Sequence, residues 1–234
     1  MGRGEREDTA PPAIALVIFD CDGVLVDSEP LAMRVLLETI AEAGLTLTPA
    51  LGYERFLGRS LATTCAVLSD EFGIDLTHQA LDRMRRRLYE VFRRELRPMT
   101  GIHAALDALP VPYCVASSSQ LGRIRLALDV TGLRRRFEPR IFSASMVSRG
   151  KPAPDLFLHA AAEMAVVPAR CLVVEDSPAG VQAAKLAGMR VCGFTGGTHA
   201  RVESHHRALA AIEPDHLIDD MRLLPTVIGR DGAA

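Results

Sequence analysis

The sequence has no apolar run near the roughly 20 residues that a membrane-spanning helix needs. Its longest clean run, Ile14–Phe19, has the length of a strand. No basic opening followed by an apolar stretch is present, so no secretory leader and no membrane attachment are expected. Paired cysteines are missing as well. The chain has 5 cysteines, Cys21, Cys65, Cys114, Cys171 and Cys192, with no C-x-x-C spacing among them. That disfavours a disulfide framework and a thiolate metal site, and predicts small buried thiols in a reducing, cytoplasmic setting. There is no excess of positive charge: 27 Lys+Arg stand against 29 Asp+Glu, a formal net charge of −2. A chain-wide basic field for nucleic acid is therefore excluded. Lysine itself is scarce. It occurs only at Lys151 and Lys185, and arginine supplies every other cation, which marks Lys151 for a specific task.

Several catalytic signatures are also absent. There is no H-E-x-x-H, no G-x-S-x-G elbow and no Walker loop around Gly150-Lys151. His199, His205, His206 and His216 crowd the C-terminal quarter without a metal-binding pattern, and read as surface or loop residues. No internal repeat or low-complexity segment is visible.

What is present is apolar material for one medium-sized core: 234 residues, 48% of them hydrophobic. Residues 1–12 read as a mobile polar tail. Strands are predicted at Ile14–Phe19, Tyr113–Ala116, Arg140–Phe142, Cys171–Val174, Arg190–Phe194 and His216–Ile218, separated by helical segments. Such alternation predicts an α/β fold, a doubly wound, Rossmann-like parallel sheet. After the first strand, helical periodicity runs from Glu29 to Arg97, with Arg83, Arg85, Arg86 and Arg87 reading as a solvated helix face. The expected organisation is a core of residues 13–28 and 98–230, with residues 29–97 as an inserted all-helical cap.

In an open α/β sheet, ligands bind beyond the carboxyl ends of the strands. There the sequence supplies Asp20-Cys21-Asp22-Gly23 after the first strand and Ser117, Ser118 and Ser119 after the second. Lys151 follows near the third, and Glu175-Asp176-Ser177-Pro178 after the fourth. Asp20, Asp22, Glu175 and Asp176 would crowd like charges together and raise one another's pKa values. A hard divalent cation relieves this, and magnesium, which takes a few carboxylates plus water and phosphate oxygens, is the expected cofactor. Serine hydroxyls, a helix N-terminus and a lysine suit the remaining phosphate oxygens.

Asp20 to Ser28 resembles the first motif of the haloacid dehalogenase superfamily of phosphohydrolases. Ser117 matches its second motif, Lys151 in Gly-Lys-Pro-Ala-Pro-Asp its third, and Glu175-Asp176-Ser177 its fourth. The order and spacing fit over residues 13–222. The insert is similar to the helical cap of the branch containing β-phosphoglucomutase and bacterial sugar and phosphogluconate phosphatases. The resemblance implies Asp20 as the nucleophile, Asp22 as general acid and base, and Ser117 and Lys151 as partners of the transferring phosphoryl group. It implies magnesium on Asp20, the main-chain carbonyl of Asp22 and Asp176, with Glu175 direct or through water. Gly23, Ser118 and Arg59 are expected on the substrate, Arg59 against a second anionic group.

The aspartate at position 22 points to phosphate esters, because an alkoxide leaving group needs an acid. Phosphomutases of this branch carry a histidine where this chain has Ala32, which favours a phosphatase over a phosphomutase. A binding module without turnover is the remaining alternative. The expected ligand is a small phosphorylated metabolite, and the expected assembly a monomer or homodimer. Ser28, Ser119 and Ser177 read first as helix caps, and Lys151–Pro152 as a candidate cis peptide.

Overall fold

The structure, a computed structural model, describes residues 13–230 other than 59 and 202. The side chains of 200, 201, 203–205 and 230 are likewise outside the described set, as is the tail expected over 1–12.

The described residues begin with β1 (Leu16–Phe19), then run through α1 (Glu29–Glu42), α2 (Pro49–Phe56), α3 (Leu61–Phe72), α4 (His78–Glu95) and α5 (Ile102–Ala108). Next come β2 (Tyr113–Ser117), α6 (Leu121–Val130), α7 (Arg134–Phe137), β3 (Ile141–Ser143) and α8 (Asp155–Glu163). The chain ends with β4 (Cys171–Glu175), α9 (Pro178–Leu186), β5 (Arg190–Phe194), α10 (Glu203–Ala210), β6 (His216–Ile218) and α11 (Leu224–Arg230). The 6 strands form one parallel sheet in the order β3-β2-β1-β4-β5-β6. Strand order therefore reverses between β1 and β4, the place where such sheets open a crevice at their carboxyl ends.

The strands are buried on both faces, and the two-residue period of a strand sorts their side chains into separate cores. Val17, Phe19, Val115, Leu172 and Val174 face a cluster completed by α5, α6 and α11. Leu16, Ile18, Cys114, Cys171 and Val173 face the opposite cluster, filled by α8 and α9. The expected α/β doubly wound sheet is thus present, with Cys21, Cys114, Cys171 and Cys192 buried as expected; Cys65, in the helix Leu61–Phe72, is only half-buried.

Between β1 and α5 the chain leaves the sheet as a helical excursion. Thr48, Ser60 and Thr77 start α2, α3 and α4 by accepting from Leu51 N, Thr63 N and Ala80 N at 3.3, 3.1 and 3.2 Å. Gly73, at φ 65°, closes α3 in the left-handed conformation that glycine adopts without strain. The outgoing and returning links pair side by side: Met99 N donates to Leu25 O at 2.9 Å and Asp27 N to Arg97 O at 3.1 Å. The insert has a small core of its own around Met33, Ile40, Phe56 and Leu68. Its α4 instead joins the sheet's core through Leu88, Phe92 and Leu96.

That packing makes Phe92 a rivet between insert and sheet. Phe92→Ala is expected to cost about 3–5 kcal/mol in urea unfolding, the usual penalty for a cavity left by a buried phenylalanine. A cost below about 1 kcal/mol would show that α4 does not pack as described.

Candidate active site

Strand register assembles the site. Phe19 pairs with Val174 and with Val115, so the next residues, Asp20 and Glu175, emerge side by side at the sheet edge. Ser117 ends β2 beside them, and Lys151 arrives from the loop after β3. Its ammonium Nζ donates to Asp20 Oδ1 at 2.5 Å, Glu175 Oε1 at 2.6 Å and the Ala116 carbonyl at 3.0 Å. The Lys151 side chain is only 4% exposed. The adjoining Lys151–Pro152 peptide is cis, as expected, and Glu138–Pro139 is cis as well.

Burial raises the Asp20 carboxyl well above the usual carboxylate range; Lys151 works against this, while Glu175 and Asp176 add to it. Burial disfavours the Lys151 charge, but Asp20 and Glu175 outweigh it and hold the ammonium above its ordinary pKa. The second oxygen of Glu175 accepts from Ser177 N and Ser177 Oγ, both at 2.9 Å. Ser177 caps α9 as expected, its hydroxyl accepting from Gly180 N at 3.1 Å. Glu175 is thus engaged on both oxygens, by Lys151 and by Ser177.

Asp22 sits in a different nest. Ser28 Oγ and Arg123 Nη2 donate to its Oδ1 at 2.7 and 2.9 Å, and Ser119 Oγ donates to its Oδ2 at 2.6 Å. Burial opposes the Asp22 charge, but Arg123 and the two hydroxyls prevail and hold the carboxyl below its ordinary value. This corrects two expectations. Ser28 and Ser119 do not cap helices with their side chains; Ser28 stands at the start of α1 and turns its hydroxyl to Asp22 instead. Gln120, not Ser119, precedes α6. A lone acid draws the nearest hydroxyls more strongly than an amide does, since bonds to charged groups are about twice as strong.

Asp176 completes the edge. Burial, then the neighbouring Glu175 charge, raises its carboxyl well above the usual range. Gly23 lies against it: a Cβ there would fall 1.9 Å from Asp176 Oδ2, and the φ of +81° also calls for glycine. His199, expected at the surface, is instead buried at 2% exposure, with Nε2 2.8 Å from Asp176 Oδ2. Of the other histidines, His206 is exposed, His216 is half-buried, and the His205 side chain lies outside the described residues.

These groups open into a cavity of about 420 Å³, a size suited to a small metabolite. Asp20, Asp22, Ser117, Ser118, Lys151 and Asp176 line its floor. Leu57, Gly58, Ser60 and Leu61 line the side built by the insert, with Leu81, Met84, Arg85, Leu88 and Tyr89 of α4. Arg59 lies outside the described residues. The arginine-rich face of α4 is largely solvated as expected, with Arg83, Arg85 and Arg86 exposed; Arg85 also borders the cavity while pairing with Asp82 at 3.2 Å, and Arg87 pairs with Glu42 on α1 at 2.7 Å. Sequence reading missed Arg123, Glu29 and His199, all on the cavity wall. Arg123 and His199 come from a helix and a loop away from the motifs, and Glu29, just past the first motif, reads as an ordinary acid in the first turn of a helix.

Glu29 yields a test. Burial, with the charges of Asp22 and Asp176, pushes its carboxyl from 4.5 up to about 7. The folded state therefore keeps a proton that the unfolded chain loses above its own pKa of about 4.3. This part of the stability is present at low pH and falls as pH rises from there through about 7. In chelated protein, Glu29→Gln is expected to be near neutral at pH 5. At pH 8 it should stabilise by roughly 1–3 kcal/mol in urea unfolding. A difference that stays flat with pH would contradict the described surroundings of Glu29.

Comparison with known proteins agrees with this geometry. The sequence matches the haloacid dehalogenase-like hydrolase family over residues 14–188. The 6-phosphogluconate phosphatase of Escherichia coli is 34% identical over 193 residues, 82% of this chain and 87% of that protein. Among solved structures, a conserved haloacid dehalogenase-like protein of unknown function from Agrobacterium tumefaciens superposes with a TM-score of 0.85 at 39% identity, covering 93% of this chain and 99% of that one. A HAD family hydrolase from Deinococcus radiodurans, solved with bound phosphate and sodium, gives 0.77 at 30% identity, covering 96% and 98%. With the motif residues gathered at one sheet edge and the match running through most of the sequence, the chain belongs to the haloacid dehalogenase-like hydrolase family.

Proposed function

We propose that this protein is a magnesium-dependent phosphatase that hydrolyses a small sugar phosphate or phosphosugar acid through an aspartyl-phosphate on Asp20. The observation that carries this is the buried Asp20 carboxylate, held on one oxygen by Lys151 and opening into a cavity of about 420 Å³ with Asp22 beside it. The related 6-phosphogluconate phosphatase supports the substrate class. Residues 13–28 and 98–230 serve as the catalytic core and residues 29–97 as the cap over the cavity. The free thiols suit a cytoplasmic setting. No helix among the described residues is long and apolar enough to cross a membrane.

The donor set fits magnesium. Asp20 and Asp176 are buried oxygen donors whose carboxyls burial raises well above the usual range, so that a nearby cation would favour their ionised forms. Gly23 brings the main chain against Asp176, which suits a ligand role for the Asp22 carbonyl. Among the described residues, no three His, Cys, Asp or Glu side chains gather as a complete metal cluster. Magnesium takes few carboxylates and keeps water and phosphate oxygens. Glu175 is assigned to hold Lys151, because both of its oxygens are already engaged. Bound at this edge, magnesium would offset the carboxylate charge and polarise the phosphate oxygens.

Asp20 attacks phosphorus, the bond to the leaving oxygen breaks, and the leaving oxygen takes a proton from Asp22. A water then attacks the aspartyl-phosphate, gives its proton to Asp22, and releases phosphate and free Asp20. Ser117 holds a phosphoryl oxygen through both steps, and the adjacent Lys151 charge offsets the charge of the transferring group. The donors around Asp22 favour its ionised form, the form required in the second step. An incoming anion that engages Arg123 would weaken that hold and favour the protonated form required in the first. Ala32 of α1 packs on the core and offers no acid or base, which supports hydrolysis over mutase chemistry.

Phosphate release from a panel of sugar phosphates and phosphosugar acids tests this reading. Asp20→Asn and chelation should abolish release, and Lys151→Ala should lower it by about 10²–10³-fold. Release that survives Asp20→Asn would refute the mechanism, and isomer exchange without release would establish a mutase. Arg85 reaches the cavity from the cap and suits a carboxylate on the substrate. Arg85→Ala should raise KM roughly tenfold, about 1.4 kcal/mol, for a phosphosugar acid and leave a neutral sugar phosphate unchanged. Equal losses on both substrates would remove Arg85 from substrate recognition.

A further inference from the structure

His199 takes no part in the chemistry above, yet the fold makes room for it with some care. Its imidazole is 2% exposed and stands with Nε2 2.8 Å from Asp176 Oδ2. Two glycines make the space. A Cβ on Gly23 would fall 2.9 Å from His199 Cε1, and a Cβ on Gly197 would fall 2.5 Å from the same atom. Gly23 also needs glycine for its backbone, with φ at +81°. Gly197 is not among the glycines of positive φ, so clearance for the imidazole is what accounts for glycine there.

The loop that carries His199 is fastened on both sides. Thr195 N donates to Ile218 O at 2.8 Å, which ties the loop's start to β6. Thr198 Oγ1 donates to Asp27 Oδ2 at 2.5 Å, which ties it to the link leading into the helical insert. An apolar side chain could fill the same space, whereas the imidazole brings a ring nitrogen against the Asp176 carboxylate. Metal-ligating carboxylates are commonly held in orientation by polar groups behind them.

We propose that His199 is a positioning residue for Asp176, setting the rotation of that carboxylate so that it is ready for magnesium before the cation arrives. The inference rests on the assignment of Asp176 as a magnesium ligand. Sequence reading could not supply it, because nothing in Gly196-Gly197-Thr198-His199 points back to residue 176.

The test is magnesium binding by the full-length protein without substrate, measured by titration calorimetry well below each variant's melting temperature. Wild type, His199→Ala, His199→Gln and Asp176→Asn are compared. His199→Ala should weaken magnesium binding about 10–100-fold. His199→Gln, whose amide can reach the same oxygen, should recover most of that loss. Wild-type affinity in His199→Ala, whatever its melting temperature, would make the imidazole a filler and overturn the proposal. So would a glutamine variant as weak as the alanine one, since shape alone would then be at work. If Asp176→Asn binds magnesium like wild type, the metal assignment itself fails, a result distinct from failure at His199 alone.

Discussion

The ammonium of Lys151, sealed between Asp20 and Glu175, is the interaction on which the rest of the site depends. A buried charge is tolerable only when it is paired and fully hydrogen-bonded, and removing one partner typically costs about 3–5 kcal/mol. Here the pairing runs outward through the fold. Glu175 faces Lys151 with one oxygen and is held on the other by Ser177, which caps α9. Gly180, in the first turns of that helix, must lack a side chain, because a Cβ would stand 1.9 Å from the Glu175 carboxylate. One cation therefore fixes the nucleophile, an acid, a helix cap and a glycine.

A second constraint couples chemistry to the helical insert. Asp22 is bonded by Ser28, where the insert departs, and by Arg123, whose guanidinium lies 5.3 Å from the centre of the Phe92 ring on α4. Cation–π contact of this kind is worth about 0.5–2 kcal/mol. Movement of α4 over the cavity would thus be felt at the proposed acid and base. Asp22 is held where the insert departs and by an arginine that packs on α4, whereas Asp20 is held at the end of β1 by Lys151 from the loop after β3.

Much of this was legible in the sequence where chemistry is local. The strands Arg190–Phe194 and His216–Ile218 have the bounds that their patterns predict, and the apolar β1 aims Asp20 at the sheet edge. The scarcity of lysine pointed to Lys151, which holds the site; Lys185, for which no task was expected, donates to the Ile212 and Glu213 carbonyls, each at 2.5 Å. What escaped depends on distant partners. Ser119 reads as a cap because a serine before a helix usually is one, and nothing local reveals Asp22 nearly a hundred positions away. Arg123 sits among ordinary helix residues, and His199 among glycines. Their roles exist only once the sheet has brought β1, β2 and β5 together. The short α2 escaped for the opposite reason, since its 8 residues carry too little periodicity to separate it from a loop.

The account stands or falls on covalent chemistry at Asp20. Rapid acid quenching during turnover of a phosphosugar, followed by borohydride reduction and peptide mass spectrometry, reads that directly. An acyl phosphate on residue 20 would be converted to homoserine, and the account predicts homoserine at that position in wild type and not in Asp20→Asn. Robust phosphate release with aspartate intact at residue 20, or reduction at another carboxylate, would contradict it.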